Sequence, residues 1–143
     1  MEEVVGNIWD YYDQGKWIVI TTNGFVKSNG KAVMGRGIAL EAATRFPTTP
    51  YILGKYIKEL GNIPIRLNDR MVSFPVKHNW WEKANLDLIE SSTLTLFSMV
   101  NNLQLSEIYM VRPGCGNGHL NWSDVKPILK KYLDDRFIIV NRT

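Results

Sequence analysis

The sequence is poor in the residues that build metal centres and crosslinks: of 143 positions, one is cysteine and two are histidine. A lone Cys115 excludes an internal disulfide and leaves no cysteine cluster for a structural zinc site. With only His78 and His119 beside it, no bound metal is expected, and no cofactor. Long apolar runs are also missing. None approaches the roughly 20 residues needed to cross a bilayer, and Met1-Glu-Glu-Val lacks the basic-then-apolar order of a secretion signal. A cytoplasmic location without membrane association is the expectation. There are no repeats, low-complexity tracts or linkers, so residues 1–143 are expected to form a single domain, acting as a monomer. The net charge of +3 leans towards anionic partners, but it is not gathered into a run and by itself does not specify nucleic acid.

A hydrophobic content of 45% with 22% charged residues is ordinary for a globular domain, so the order of its elements carries the fold information. Runs rich in β-branched and aromatic residues predict strands at Trp17–Thr22, Ile63–Leu67, Met71–Val76, Glu107–Arg112 and Phe137–Asn141, with a short one near Val4 and Val5. Helices are expected over 37–46, 50–60, 84–103 and 122–133. The third is marked by Leu86, Ile89, Leu96, Phe97, Val100 and Leu103 at helical spacing, a pattern that serves packing. Alternation of the two element types predicts an α/β layered fold.

Two segments repeat the order strand, glycine loop, helix. One is Gly30-Lys-Ala-Val-Met-Gly-Arg-Gly-Ile-Ala39; the other is Val111-Arg-Pro-Gly-Cys-Gly-Asn-Gly-His-Leu-Asn-Trp122. Glycine lets the main chain approach a ligand closely, and amides at a helix start attract anions. Two such loops on one small α/β domain are expected at the carboxyl edge of the sheet, where open α/β folds bind ligands, and a diphosphate would suit both. Neither loop matches a Walker sequence or a complete G-x-G-x-x-G.

Four side-chain positions stand out near these loops. Cys115 lies in a setting that can activate a thiol, but the arginine that would close a cysteine-phosphatase loop is replaced by Asn121, so it reads as a small wall residue. Asn23 precedes Gly24, so it can orient a sugar hydroxyl or simply make an Asn-Gly turn. Lys77 follows Ser73-Phe-Pro-Val76, either as a solvated lysine or as an amine whose pKa falls beside apolar neighbours. Trp80 and Trp81 could stack on nucleobases, with at least one of the pair expected in the core.

Taken together and in order, Thr21-Thr-Asn-Gly24 with Val33-Met-Gly-Arg-Gly-Ile-Ala-Leu40, then Phe74-Pro-Val-Lys-His-Asn-Trp80, then Pro113-Gly-Cys-Gly-Asn-Gly-His-Leu-Asn-Trp122 resemble a macrodomain over nearly the whole chain. They are most similar to the DarG-type branch, which removes ADP-ribose from DNA, and to the branch that removes it from glutamate. The resemblance implies a three-layer α/β/α fold around a mixed sheet, with ADP-ribose or an ADP-ribosylated substrate in a cleft at one sheet edge. It implies catalytic roles for Lys77, attacking or electrostatically steadying the anomeric carbon of the distal ribose, and for Asn23, contacting that ribose. The ligand-binding set it implies is Asn7, Ile8, Lys31, Val33, Met34, Gly35, Gly37, Ile38, Pro113, Gly114, Cys115, Gly116, Asn117, Gly118, His119, Leu120 and Asn141. Trp80 and Trp81 would stack a substrate base, single-stranded DNA being one such partner.

Two positions depart from the family pattern. Gly118 stands about where the glutamate-directed branch has an aspartate that partners the lysine, and Asn7 stands where many macrodomains have the aspartate that accepts from the adenine amino group. Two alternatives stay open: a phosphatase for ADP-ribose 1″-phosphate using His119 and Asn23, and a non-catalytic ADP-ribose reader.

Overall fold

Period-2 alternation along the central strands divides the hydrophobic residues between two cores, and this division creates the layers. The computed structural model describes residues 1–142. Its elements run β1 (Glu2–Gly6), α1 (Ile8–Asp13), β2 (Ile18–Asn23), α2 (Gly37–Arg45), α3 (Thr49–Leu60), β3 (Met71–Lys77), α4 (Leu86–Asn102), β4 (Ile108–Val111), α5 (Trp122–Lys130) and β5 (Phe137–Arg142). Ile18 and Ile20 of β2, with Ile138 and Val140 of β5, pack on Trp9 and Tyr12 of α1, Ala42 of α2 and Leu53 of α3. Val19, Phe137 and Ile139 point the other way, onto Ile89, Leu96 and Val100 of α4 and Val125 and Leu129 of α5. Each strand therefore feeds both sides of the sheet, as expected when both faces are covered by helices.

The strand order is β1-β5-β4-β2-β3, and all four neighbouring pairs are parallel. The sheet implied by the family resemblance was mixed; here the five named strands are all parallel, and the antiparallel component shrinks to a bridge between Arg66 and Val72. The strand expected over Ile63–Leu67 is that bridge. Leu67 N donates to Met71 O at 2.7 Å and Ser73 N to Ile65 O at 2.8 Å, and the buried Ser73 hydroxyl takes the Ile65 amide at 3.0 Å. Asn68, Asp69 and Arg70 turn the chain back before a longer ladder can form. Because β3 is an edge strand on its β2-distal side, Pro75 sits where a missing ladder donor is tolerated.

The helix α1 has no counterpart among the expected elements. It is one and a half turns long, too short for periodicity to reveal, and it starts where the Asn7 side chain accepts from Trp9 N at 3.0 Å. The stripe on α4 faces the core through Leu88, Ile89, Ser92, Thr93, Leu96 and Val100, leaving Leu86 exposed at the first turn.

The polarity of β2 and its neighbours positions the site. From β2 the chain moves outward to β3, then crosses back to β4 on the other side. The loops leaving the carboxyl ends of β2 and β4 diverge there, which opens a crevice. The first loop is held by α3: Ala32 N donates to Pro50 O at 2.8 Å, and Gly54 of α3 lies so close that a Cβ there would collide with the Gly30 carbonyl oxygen. Alanine is the better helix former by about 1 kcal/mol, yet Gly54→Ala should lower the melting temperature by several degrees and loosen the 27–33 loop. Thermal unfolding followed by circular dichroism measures this, and an unchanged or raised midpoint contradicts the proposed packing constraint.

Candidate functional site

A cavity of about 780 Å³ lies at the carboxyl ends of the strands, within the roughly 300–1,000 Å³ range of small-molecule sites. Its floor comes from Gly6 at the end of β1, Thr21–Asn23 of β2, Val76 and Lys77 of β3, Val111 of β4 and Val140–Arg142 of β5. One wall is Val33, Gly35, Arg36, Gly37 and Ile38, at the start of α2; the other is Gly114, Cys115, Gly116, Asn117 and Gly118. The two glycine loops therefore face each other, and they meet at Gly37, where an added Cβ would come within 2.9 Å of the Asn117 amide nitrogen.

Lys77 ends β3 at this junction. The β2–β3 register shifts between Thr22 and Asn23, so Asn23 stands opposite Lys77 and Val76 is the extra residue. The Lys77 carbonyl accepts from Gly24 N at 3.1 Å and from Asn62 Nδ2 at 3.0 Å. Its Nζ donates to Asn117 O at 3.1 Å and Trp80 O at 3.3 Å. Burial pushes the amine pKa below the ordinary lysine value, and the positive charge of Arg36 pushes the same way.

Asn23 lines the cavity, and its amide is also engaged in local structure. Nδ2 donates to Val33 O at 3.0 Å and Oδ1 accepts from Phe25 N at 3.0 Å. It thereby makes the Asn-Gly turn and ties β2 to the first glycine loop, keeping one N–H and one lone pair uncommitted. Cys115 is half-buried, its thiol directed to Pro113 O at 3.4 Å, and burial raises its pKa. These are the properties of a wall residue and oppose a thiolate nucleophile.

Two glycines of the second loop, Gly114 and Gly118, have steric reasons. Gly114 has φ 74°. A Cβ on Gly118 would stand 2.5 Å from Gly114 O and 2.8 Å from the Ala84 Cβ. Leu120 N closes the loop onto Gly114 O at 2.9 Å. No side chain fits at Gly118, so an aspartate is sterically excluded there.

Several expected ligand contacts lie elsewhere. Asn7 is not in the cavity lining, because its oxygen caps α1; Gly6 and Ile8 on either side of it do line the cavity. Lys31 instead lies over the Tyr51 ring, 4.7 Å from its centroid. Met34 is buried in the core beneath the first loop, and Pro113 and Leu120 support the second from below. His119, at φ 61°, lines an adjoining cleft and not this cavity. Both tryptophans are exposed, Trp80 by 44% and Trp81 by 59%, so the core plug expected of at least one is absent. The chain leaves β3 at Lys77 and turns outward before either indole is reached.

The lining also includes residues outside the expected set. Arg36 projects between the two glycines of the first loop, where its position was legible. Arg112 and Arg142 were hidden as ordinary strand-end cations. Arg142 is paired with Glu41 through bonds of 2.8 and 2.6 Å, and Glu41 also accepts from Trp9 Nε1 at 2.8 Å, so its carboxyl is held below the usual range. The Thr22 hydroxyl lines the cavity, buried and without a hydrogen-bond partner among the described residues. No helix among those residues is long and apolar enough to cross a membrane.

No protein-family model matches the chain. The chain is 27% identical over 128 residues to a DNA ADP-ribosyl glycohydrolase of Mycobacterium tuberculosis, covering 80% of this chain and 36% of that protein. It is 26% identical over 116 residues to the enzyme of the same name from Thermus aquaticus, covering 74% of this chain and 32% of that protein. The chain thus matches about a third of the length of these curated relatives. Among solved structures, the macrodomain of Thermus aquaticus DarG superposes with a TM-score of 0.73 at 22% identity, covering 99% of this chain and 97% of that one. The Mycobacterium tuberculosis DarG macrodomain gives 0.71 at 22% identity, covering 90% of each. Thermosipho africanus DarTG in complex with ADP-ribose gives 0.68 at 22%, covering 87% of this chain and 38% of that one. By fold the chain is a macrodomain, similar to those of DarG.

Proposed function

We propose that residues 1–143 act as one macrodomain unit in the cytoplasm, binding ADP-ribose in the cavity between the glycine loops and releasing it from an ADP-ribosylated substrate, DNA in the first instance. The observation that carries this reading is Lys77: a partly desolvated amine, fixed by two carbonyls, at the point where both loops meet the sheet edge. Main-chain amides of Gly35–Ile38 and Gly114–Gly118 supply the diphosphate cradle, and Arg36 adds positive charge beside it. Asn23 holds the first loop and offers its uncommitted N–H to the distal ribose.

In its neutral form Lys77 has two N–H groups, matching the two carbonyls it faces, and one lone pair. Attack of that lone pair on the anomeric carbon forms an N–C bond. The bond to the leaving group breaks with its electron pair, and the leaving group takes up the proton that the lysine nitrogen sheds. Water then replaces the lysine nitrogen at the same carbon, releasing ADP-ribose and restoring the amine. The phosphatase alternative is weaker because His119 lines the adjoining cleft. The reader alternative draws on Gly118, where no acid can be seated, and predicts binding without turnover.

Lys77→Ala should bind free ADP-ribose within a few-fold of the parent by calorimetry and lose at least ~100-fold in turnover on an ADP-ribosylated oligonucleotide. Equal turnover of the two proteins rejects the lysine mechanism. Because the competent amine is neutral, its fraction increases as pH rises through the lowered Lys77 pKa, so turnover should climb to a plateau below the ordinary lysine range. Arg36→Gln removes a charge that lowers this pKa, so the rise should move to higher pH. A profile that stays put, or moves the other way, contradicts the assignment. Gly118→Asp should cost stability or ADP-ribose affinity and give no gain in turnover, since its side chain meets the Gly114 backbone. A stable variant with unchanged affinity and faster hydrolysis would falsify that steric argument.

A further inference from the structure

Beside the main cavity lies a second cleft of about 370 Å³, and the two share Arg36, Lys77, Trp80 and Asn117 on their common wall. Its own lining adds Trp81, Glu82, Lys83 and His119. Three properties of this cleft bear on its ligand. Its aromatics are exposed yet braced: the Trp81 ring lies 5.5 Å from Trp80 at 90° and 5.5 Å from Phe25 at 67°, so it is held on edge by two neighbours while remaining 59% accessible. The indole N–H groups of Trp80 and Trp81, like that of Trp17 elsewhere, have no partner among the described residues, whereas Trp9 and Trp122 each donate to a carboxylate. Arg36 and Lys83 form no ion pair among those residues; the one acid in the lining, Glu82, accepts from its neighbour Asn79 N at 2.7 Å.

A preorganised aromatic platform beside unpaired cations is the chemistry that holds a nucleobase and its phosphate. Its site, on the rim next to Lys77, is where the part of a substrate beyond the distal ribose must emerge. We infer that this second cleft is a subsite for the nucleotide that flanks the ADP-ribosylated one in a single-stranded polynucleotide, with its base on Trp81 and its phosphate near Lys83 and His119. This rests on the hydrolase reading for the identity of the modified nucleotide, but not for strand binding. A base that stacks on protein has left its own stack, so a duplex is a poor ligand. An acidic peptide would use the cations alone and leave the braced indoles without a role.

The test compares wild type with Trp81→Ala and Lys83→Glu, neither of which lines the main cavity. A fluorescein-labelled unmodified single-stranded DNA oligonucleotide, its RNA equivalent and the matching duplex are titrated by anisotropy. ADP-ribose is titrated by calorimetry, and turnover is measured on an ADP-ribosylated oligonucleotide and on the corresponding ADP-ribosylated nucleoside. Each variant should weaken single-strand binding, and raise KM for the modified oligonucleotide, by roughly tenfold. ADP-ribose affinity and nucleoside turnover should stay within twofold, and the duplex should bind more weakly than the single strand. A wild type that binds ADP-ribose but hydrolyses neither substrate overturns the hydrolase reading, while single-strand binding that depends on Trp81 still supports the subsite. Unchanged strand binding and KM in both variants overturn the subsite. So does an equal loss on nucleoside and oligonucleotide, or dependence on Trp81 for an ADP-ribosylated acidic peptide alone. The DNA and RNA arms identify which strand the cleft prefers.

Discussion

The register of β3 against β2 is the constraint on which the candidate site depends. Up to Thr22 and Pro75 the two strands pair residue for residue; one extra residue, Val76, then brings Lys77 opposite Asn23. A one-residue change in register reverses the faces of all the side chains that follow, so this bulge decides where the amine goes. The main chain holds it there: the Lys77 carbonyl receives Gly24 N and the Asn62 amide, while its Nζ reaches carbonyls of two different loops. A flexible lysine has become a point with a fixed address.

Steric exclusion limits the chemistry around that point. Gly114 and Gly118 pack backbone to backbone, and Gly37 abuts the Asn117 side chain, so the loops approach each other closely and leave no room for an acid beside the lysine. The same closeness keeps the main chain of both loops at the cavity wall. Anion binding of the proposed kind would rest on loop shape and be insensitive to the identity of most side chains. The charged residues that do reach the lining, Lys27, Arg36, Lys77, Arg112 and Arg142, are all basic, which suits a diphosphate ligand.

Much of the fold was legible because it rests on local pattern. The strands at β2, β3, β4 and β5 and the helices α2 to α5 lie within a few residues of their expected positions, since β-branched runs and helical periodicity extend over enough residues to be distinctive. The short α1 and the bridge at Arg66 were not legible in the same way: one is shorter than the helical repeat can reveal, and the other had strand composition but a turn that ends its pairing. The pair Trp80-Trp81 shows the limit of composition. Large apolar side chains usually mark a core, but whether they are buried depends on where the chain travels after Lys77.

The sequence by itself determined the α/β layering, the two glycine loops and the set of residues able to do chemistry, because spacing and glycine's freedom at φ > 0 are local properties. Tertiary structure alone decided which of them meet. It brought Lys77 to Asn23 through a register shift, turned Asn7 and Lys31 away from the cavity, and set His119 and the tryptophans around a second cleft. It also showed that Gly118 is glycine because the Gly114 backbone oxygen, closed back by Leu120, and the side chain of Ala84 from a distant part of the chain occupy the space a side chain would need. Such long-range geometry is fixed by strand pairing and loop closure, which no window along the chain contains.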